Sequence, residues 1–353
     1  MTNPVLNVLK VFGLSGIAFI VGISLTPILT HYLYKYKLWR KEVRQTAPDG
    51  AGTPIFAKLH SEGETKVPRM GGILIWGVSL LLIYLFYFLS LTAHPLFVKL
   101  NFLSRSQTWL PLFTLVAASL LGIVDDLWQT LGRGNYLAGG MRFSWRLSLI
   151  LLIAVIGALW FYFPLEKHDI YIPFFGNIFL GWLFIPFFIL VMLATFSGSV
   201  IDGIDGLSGG VMAAIFAAYT GIAFFQNQID LAAFSAVVVG AIAAFLWFNI
   251  PPARFYMGET GILGLTTSLT VIAFLTDAVS VLPLIALPLV LDSASVSIQL
   301  ISKRFFGKKV FLVSPLHHHF EAKGWPAYKV TMRAWILASV CAMVGMVIAI
   351  LGR

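Results

Sequence analysis

Five carboxylates stand where an apolar chain would be expected to avoid them. Asp125 and Asp126 close one hydrophobic stretch ("LGIVDDLW"), Asp202 and Asp205 lie in "GSVIDGIDGLSGG" between two others, and Glu259 opens a further one ("FYMGETG"). Acids at such depth are costly and usually face a cavity or a partner. Each taken singly has an ordinary role open to it, because Asp or Glu near a helix start caps backbone N–H groups and complements the dipole. Five on one membrane face are another matter, since crowded like charges repel unless something cationic holds them. A hard divalent cation suits the set: Mg²⁺ takes oxygen ligands, keeps several waters and is held by one or two carboxylates together with substrate phosphates. The glycine-rich turn between Asp202 and Leu207 would let backbone approach a bulky ligand, although glycine in membranes also serves helix packing. The chemistry these residues allow is that of a metal-assisted, phosphate-handling site.

The elements that must position the acids are membrane helices. Of the 353 residues 59% are hydrophobic and 11% charged, whereas a soluble domain carries about 25% charged residues. The composition excludes a soluble globule and predicts an all-α polytopic membrane protein. With about 20 apolar residues per span, about ten transmembrane helices are expected, at roughly 11–33, 71–91, 108–128, 146–164, 178–200, 206–225, 231–249, 259–278, 279–301 and 330–352. Pro283 and Pro288 must bend the ninth, which also contains Asp292. No repeat, low-complexity tract or shift in composition divides the chain, so residues 1–353 read as a single integral-membrane domain. Met1–Lys10 leads into a full span with no cleavage signal, and the lone Cys341 reads as a packing residue.

Charge sets the expected orientation. Outside Lys10, Lys99, Arg105, Lys167 and Arg353, all of the 24 Lys and Arg residues lie in the loops after odd-numbered spans. The positive-inside rule then places those loops in the cytoplasm and both termini on the extracytoplasmic side. All five acids fall at cytoplasmic span ends, so the active site is expected at the cytoplasmic face. The net charge of +9 favours anionic headgroups and anionic soluble substrates. Nucleic acid is not an expected partner, because the basic residues are split among loops pinned to a bilayer.

Beyond this point motifs speak. "PRMGGI" (68–73), "GIVDD" (122–126), "DGIDGL" (202–207), "FNIPPARFYMGETG" (248–261), "SVSIQ" (295–299) and "PLHHHFEAKGW" (315–325) occur in this order along nearly the whole chain. Together they resemble the polyprenyl-phosphate N-acetylhexosamine-1-phosphate transferases of glycosyltransferase family 4, and the triple histidine with Phe-Glu and Gly-Trp resembles the muramoyl-pentapeptide branch. The resemblance implies a bacterial inner-membrane enzyme, a homodimer, that joins undecaprenyl phosphate and UDP-N-acetylmuramoyl-pentapeptide into a lipid-linked pyrophosphate with release of UMP. It further implies Mg²⁺ as cofactor, Asp125, Asp126 and Asp202 as catalytic residues with Asp125 deprotonating or orienting the lipid phosphate, and Asp202 and Glu259 as metal ligands. Lys66, Arg146, Ser199, Asp205, Asn249, His318 and His319 are carried over as substrate-binding. Three adjacent histidines cannot all face one point on a helix, so a three-histidine metal site is not expected and a packing role for one of them is.

Departures from the family pattern gather at the site. "TFSGSVIDGIDGL" has Phe196 and Ser199 where asparagines are usual, "MGETGI" has Glu259 for aspartate and Ile262 for serine, Arg146 stands for lysine, and Asp292 for glutamate. "VPRMGG" is closer to the N-acetylglucosamine relatives. These differences leave open a hexosamine-phosphate transferase with altered substrate, or a homologue that binds without catalysis. An ion-coupled transporter would need acids near mid-membrane and inverted repeats, and neither is seen. Asp292 itself is expected to be an interior acid bonded to Ser or Gln neighbours.

Overall fold

The computed structural model describes residues 4–41, 65–132 and 140–353. A first span, Pro4–Lys35, contains a π turn at Leu9–Gly13 and continues as α1 (Leu14–Lys35). There follow α2 (Ile73–Ser90), α3 (Trp109–Leu131), α4 (Phe143–Tyr162), a hairpin of β1 (Asp169–Ile172) and β2 (Gly176–Phe179), then α5 (Phe184–Ser197), α6 (Leu207–Phe225), α7 (Ile229–Asn249), α8 (Glu259–Leu275), α9 (Leu287–Phe306), α10 (Leu316–Ala322) and α11 (Ala327–Leu351). Among the described residues eight helices are long and apolar enough to cross a membrane, or nine if Val279–Ile285 and α9 form one bent span. The chain is a multi-pass, mainly helical membrane protein.

The expected ninth span is broken by 80° between those two pieces. Pro283 and Pro288 each stand at the start of a helical piece, where a missing N–H costs nothing. Helix α8, at 17 residues, is shorter than the expected span over 259–278. The hairpin was not anticipated: β1 pairs antiparallel with β2, Asp169 opposite Phe179 and Ile172 opposite Gly176. The fifth span accordingly begins at Gly181 rather than 178, because Ile178 and Phe179 belong to a strand. Arg44 and Lys58 of loop 35–69, and residues 133–139 of the next basic loop, lie outside the described residues.

Helix α8 is the buried axis, with every residue from Thr260 to Phe274 inside. Its hydroxyls are satisfied locally or by neighbours. Thr267 Oγ1 donates to Leu263 O (2.8 Å) and also lies 3.2 Å from Thr114 O of α3, while Thr270 and Thr195 of α5 share a 2.6 Å bond. Large apolar side chains such as Leu190, Trp247 and Ile336 point outward instead. Polar groups inside and hydrocarbon outside is the arrangement a lipid solvent selects. Against α8 lies α3, and the two backbones touch at Gly122: a Cβ there would run into the carbonyl of Glu259. That contact brings the end of α3, carrying Asp125 and Asp126, to the start of α8, carrying Glu259.

Candidate active site

Arg146, in the first turn of α4, joins the two ends. Its Nη1 donates to Asp125 Oδ2 at 3.1 Å and to Glu259 Oε1 at 2.7 Å. The other oxygen of Asp125 accepts from Met141 N at 2.6 Å. Asp126 is fully buried; its Oδ2 accepts from Thr260 N (3.0 Å), the unfilled first turn of α8, and its Oδ1 from Arg69 Nε (3.2 Å). Arg69 is delivered by backbone pairing. Arg69 N donates to Leu38 O, Tyr256 N to Pro68 O and Gly71 N to Tyr256 O, each at 2.8 Å. Against the desolvation of burial, the carboxylates of Asp126, Asp202 and Glu259 hold the Arg69 pKa above its ordinary value.

The turn after α5 supplies the rest. Asp202 Oδ1 accepts from Ser208 Oγ (2.7 Å) and Oδ2 from Gly258 N (3.1 Å), the residue before Glu259. Burial pushes the Asp202 carboxyl above the usual carboxylate range, opposed by Arg69 and by these hydrogen bonds. Asp205 Oδ2 accepts from Ala253 N (3.0 Å), and Asn249 bonds both Gly206 N and Phe255 O, so these two pin the turn to the 249–255 loop. Ser199 takes part through its carbonyl, which accepts from Asp202 N. Lys66 is exposed, three residues before Arg69.

Over this turn sit the histidines. His317 is held at two points by Asp292, whose Oδ2 is 2.7 Å from Nδ1 and whose Oδ1 accepts from the backbone N at 3.2 Å. His318 Nδ1 is 2.7 Å from Glu321 Oε2. A carboxylate can only accept, so Nδ1 carries the proton in both rings and each Nε2 is turned the other way. Both Nε2 atoms lie over Gly203, where a Cβ would collide with that of His317 and come within 3.1 Å of that of His318. His317 Nε2 is buried without a hydrogen-bond partner. His319 Nδ1 accepts from Leu312 N at 3.1 Å, tying down the preceding segment; burial, then Lys323, lowers its pKa, in keeping with an acceptor nitrogen.

The structure thus gathers Asp125, Asp126, Arg146 and Glu259 in one polar cluster, sets Asp202 beside it through Gly258, and lays His317 and His318 across the Asp202 turn. Asp292 corrects an expectation: its carboxylate partner is His317, and the Ser295 hydroxyl bonds only its carbonyl. Arg69, His317 and the buried Arg40, whose Nε and Nη2 both reach Gln129 Oε1, were absent from the sequence-derived site. The arginines read as topology signals in loops, and only the fold shows where they point.

The cation that crowded acids require is supplied, at least in part, by guanidinium groups. Among the described residues no three His, Cys, Asp or Glu side chains gather as a metal site. A magnesium ion needs fewer, one or two carboxylates with waters and substrate phosphates. Glu259 Oε2 is buried with no hydrogen-bond partner, and Asp202 lies one residue away through Gly258 N. That oxygen set fits such an ion.

Residues 108–277 match the model of the family described as glycosyl transferase family 4. The chain is 33% identical over 345 residues to the phospho-N-acetylmuramoyl-pentapeptide-transferase of Anoxybacillus flavithermus, covering 95% of this chain and 97% of that one. Proteins of the same name from Latilactobacillus sakei (33% identical, 94% and 96% covered) and Bacillus subtilis (32%, 94% and 95%) are similar along the same length. With the acid cluster drawn from motifs that span this aligned length, the chain belongs to glycosyl transferase family 4, in the family of the phospho-N-acetylmuramoyl-pentapeptide-transferases.

Proposed function

We propose that the chain transfers phospho-N-acetylmuramoyl-pentapeptide from its UDP derivative to undecaprenyl phosphate, giving a lipid-linked pyrophosphate and UMP. The observation that carries this reading is the bridge from Arg146 to Asp125 and Glu259. It joins residues far apart in sequence into one charged centre at the end of a lipid-facing bundle. An oxygen of the lipid phosphate attacks the β-phosphorus of the sugar nucleotide. The new P–O bond forms as the bond from that phosphorus to the bridging oxygen breaks, and the electron pair leaves with UMP. Asp125 takes or orients the proton of the lipid phosphate, with Met141 N and Arg146 fixing the direction of its carboxylate. Asp126 holds the start of α8 in place through Thr260 N. His317 and His318 present Nε2 above Gly203, where in the neutral ring it accepts from a hydroxyl of the sugar nucleotide. Phosphoryl transfer asks little covalent chemistry of the protein, so positioning and electrostatics supply the rate.

In this reading Asp202 and Glu259 hold Mg²⁺, which when bound neutralises charge on the pyrophosphate. The site faces the cytoplasm, the termini lie outside, the membrane is the bacterial inner membrane and the enzyme is a homodimer. The test is purified protein with undecaprenyl phosphate, Mg²⁺ and UDP-N-acetylmuramoyl-pentapeptide, scored for UMP. Release that requires all three is expected. Turnover with UDP-N-acetylglucosamine and none with the muramoyl substrate would reassign the chain to the neighbouring branch.

A further inference from the structure

We infer that Arg69 is a phosphate clamp: anchored by Nε on Asp126, it presents its two terminal amino groups to phosphate oxygens of a substrate. The inference deepens the transferase reading above and rests on it.

Three observations carry it. First, the residue is placed, not flexible. The 68–72 segment is laid against Tyr256 and Met257 by a run of backbone hydrogen bonds, and Arg69 N is bonded to Leu38 O. Second, one edge of the guanidinium is spent and the other is not. The hydrogen bond described for Arg69 is Nε to Asp126 Oδ1, at 3.2 Å. Among the described residues, Nη1 and Nη2 have no protein acceptor, leaving four N–H donors on a side chain only 13% exposed. Neither terminal nitrogen is sealed from solvent, so both are open to an incoming ligand, which can satisfy more of the four donors than the little water this enclosure admits. Third, the anchor cannot turn away. Asp126 is fully buried and is itself fixed by Thr260 N, so the free edge faces away from it.

A tetrahedral phosphate is the ligand that two parallel N–H groups match, and arginine makes this bidentate contact where lysine offers only a point charge. A carboxylate offers two oxygens where a phosphate offers three or more, so it leaves donors unmet; the neighbouring acids repel either anion, and Arg69 offsets them. They also keep Arg69 protonated. Two groups share the required chemistry, the pyrophosphate of the sugar nucleotide and the headgroup of the polyprenyl phosphate.

The experiment compares wild type, Arg69→Lys and Arg69→Met in detergent micelles. Binding of inorganic pyrophosphate is measured by calorimetry, and KM for each substrate by UMP release. Arg69→Met should weaken pyrophosphate binding, or raise one KM, by about tenfold to a hundredfold, the range of a charge-assisted hydrogen bond. Arg69→Lys should fall between. A rise confined to the UDP-sugar KM assigns the clamp to the pyrophosphate; one confined to the lipid KM assigns it to the lipid phosphate. Should Arg69→Met fail to fold, Arg69→Met/Asp126→Asn removes the stranded charge, and pyrophosphate binding alone is read. Unchanged binding and unchanged KM for both substrates in a folded variant would overturn the proposal. Absence of turnover in the wild type, with pyrophosphate binding that still depends on Arg69, would instead overturn the transferase reading and leave the clamp standing.

Discussion

Arg146→Met removes the cation that Asp125 and Glu259 share, and its cost follows from the geometry. The two contacts are 3.1 and 2.7 Å, between side chains 18%, 1% and 20% exposed. One unit pair near 3 Å is worth about 5 kcal/mol at an effective dielectric of about 20, but desolvating both groups offsets most of it. Breaking a buried pair by deleting one partner costs about 3–5 kcal/mol. Here Met141 N still serves Asp125, and partial exposure screens Arg146 and Glu259. The expected loss is therefore about 2–3 kcal/mol. Asp125→Asn leaves the Arg146–Glu259 contact and an acceptor for Met141 N in place, so it strands no charge and should cost about 1 kcal/mol. In the double variant the buried acid disappears with its cation, so its loss should fall short of the sum of the two by about 1–2 kcal/mol. Reversible unfolding in mixed micelles reads these energies, and UMP release is followed in parallel. Both variants lacking Arg146 should be inactive, although the double one is the more stable. An Arg146→Met protein as stable as wild type, or single-variant costs that add within about 0.5 kcal/mol, would refute the claim that this guanidinium holds the acids together.

Other outcomes follow from the same site. Asp125→Asn should nearly abolish UMP release while the protein stays folded, since an amide takes no proton from a phosphate; near-normal turnover would remove Asp125 from the mechanism. Glu259→Gln should keep the Arg146 contact through its amide oxygen yet lose most activity across a Mg²⁺ titration, and normal turnover would leave Glu259 as a helix-start acid only. Burial raises the Asp202 pKa in the fold, so its contribution to stability is complete below about pH 4, its unfolded range, and is lost as pH rises through the raised value. With chelator present, Asp202→Asn should remove that decline, and parallel stability profiles for the two proteins above pH 4 would contradict it.

Much of the fold follows from local properties. Apolar runs long enough to span predict helices wherever they occur, and Pro283 and Pro288 foretell the break before α9 because proline cannot supply an interior hydrogen bond. The hairpin over Asp169–Phe179 was hidden, since a short apolar strand beside a span has no period of its own to separate it. Acids at span ends announce a site, because such charges need a reason to be there. Which cation answers each acid is another kind of fact. Arg69 looks, in sequence, like any other loop arginine, Arg146 stands out only by resemblance and with no acid named as its partner, and Asp292 gives no sign that His317 is its partner 25 positions on. Those pairings arise only when α3 meets α8 backbone to backbone at Gly122 and the 68–72 segment is hydrogen-bonded along Tyr256. Hydropathy and turn chemistry act over a few residues and are written in order along the chain. Coulomb and hydrogen-bond partners act over a few ångströms between segments far apart in it, so only the packed structure decides them.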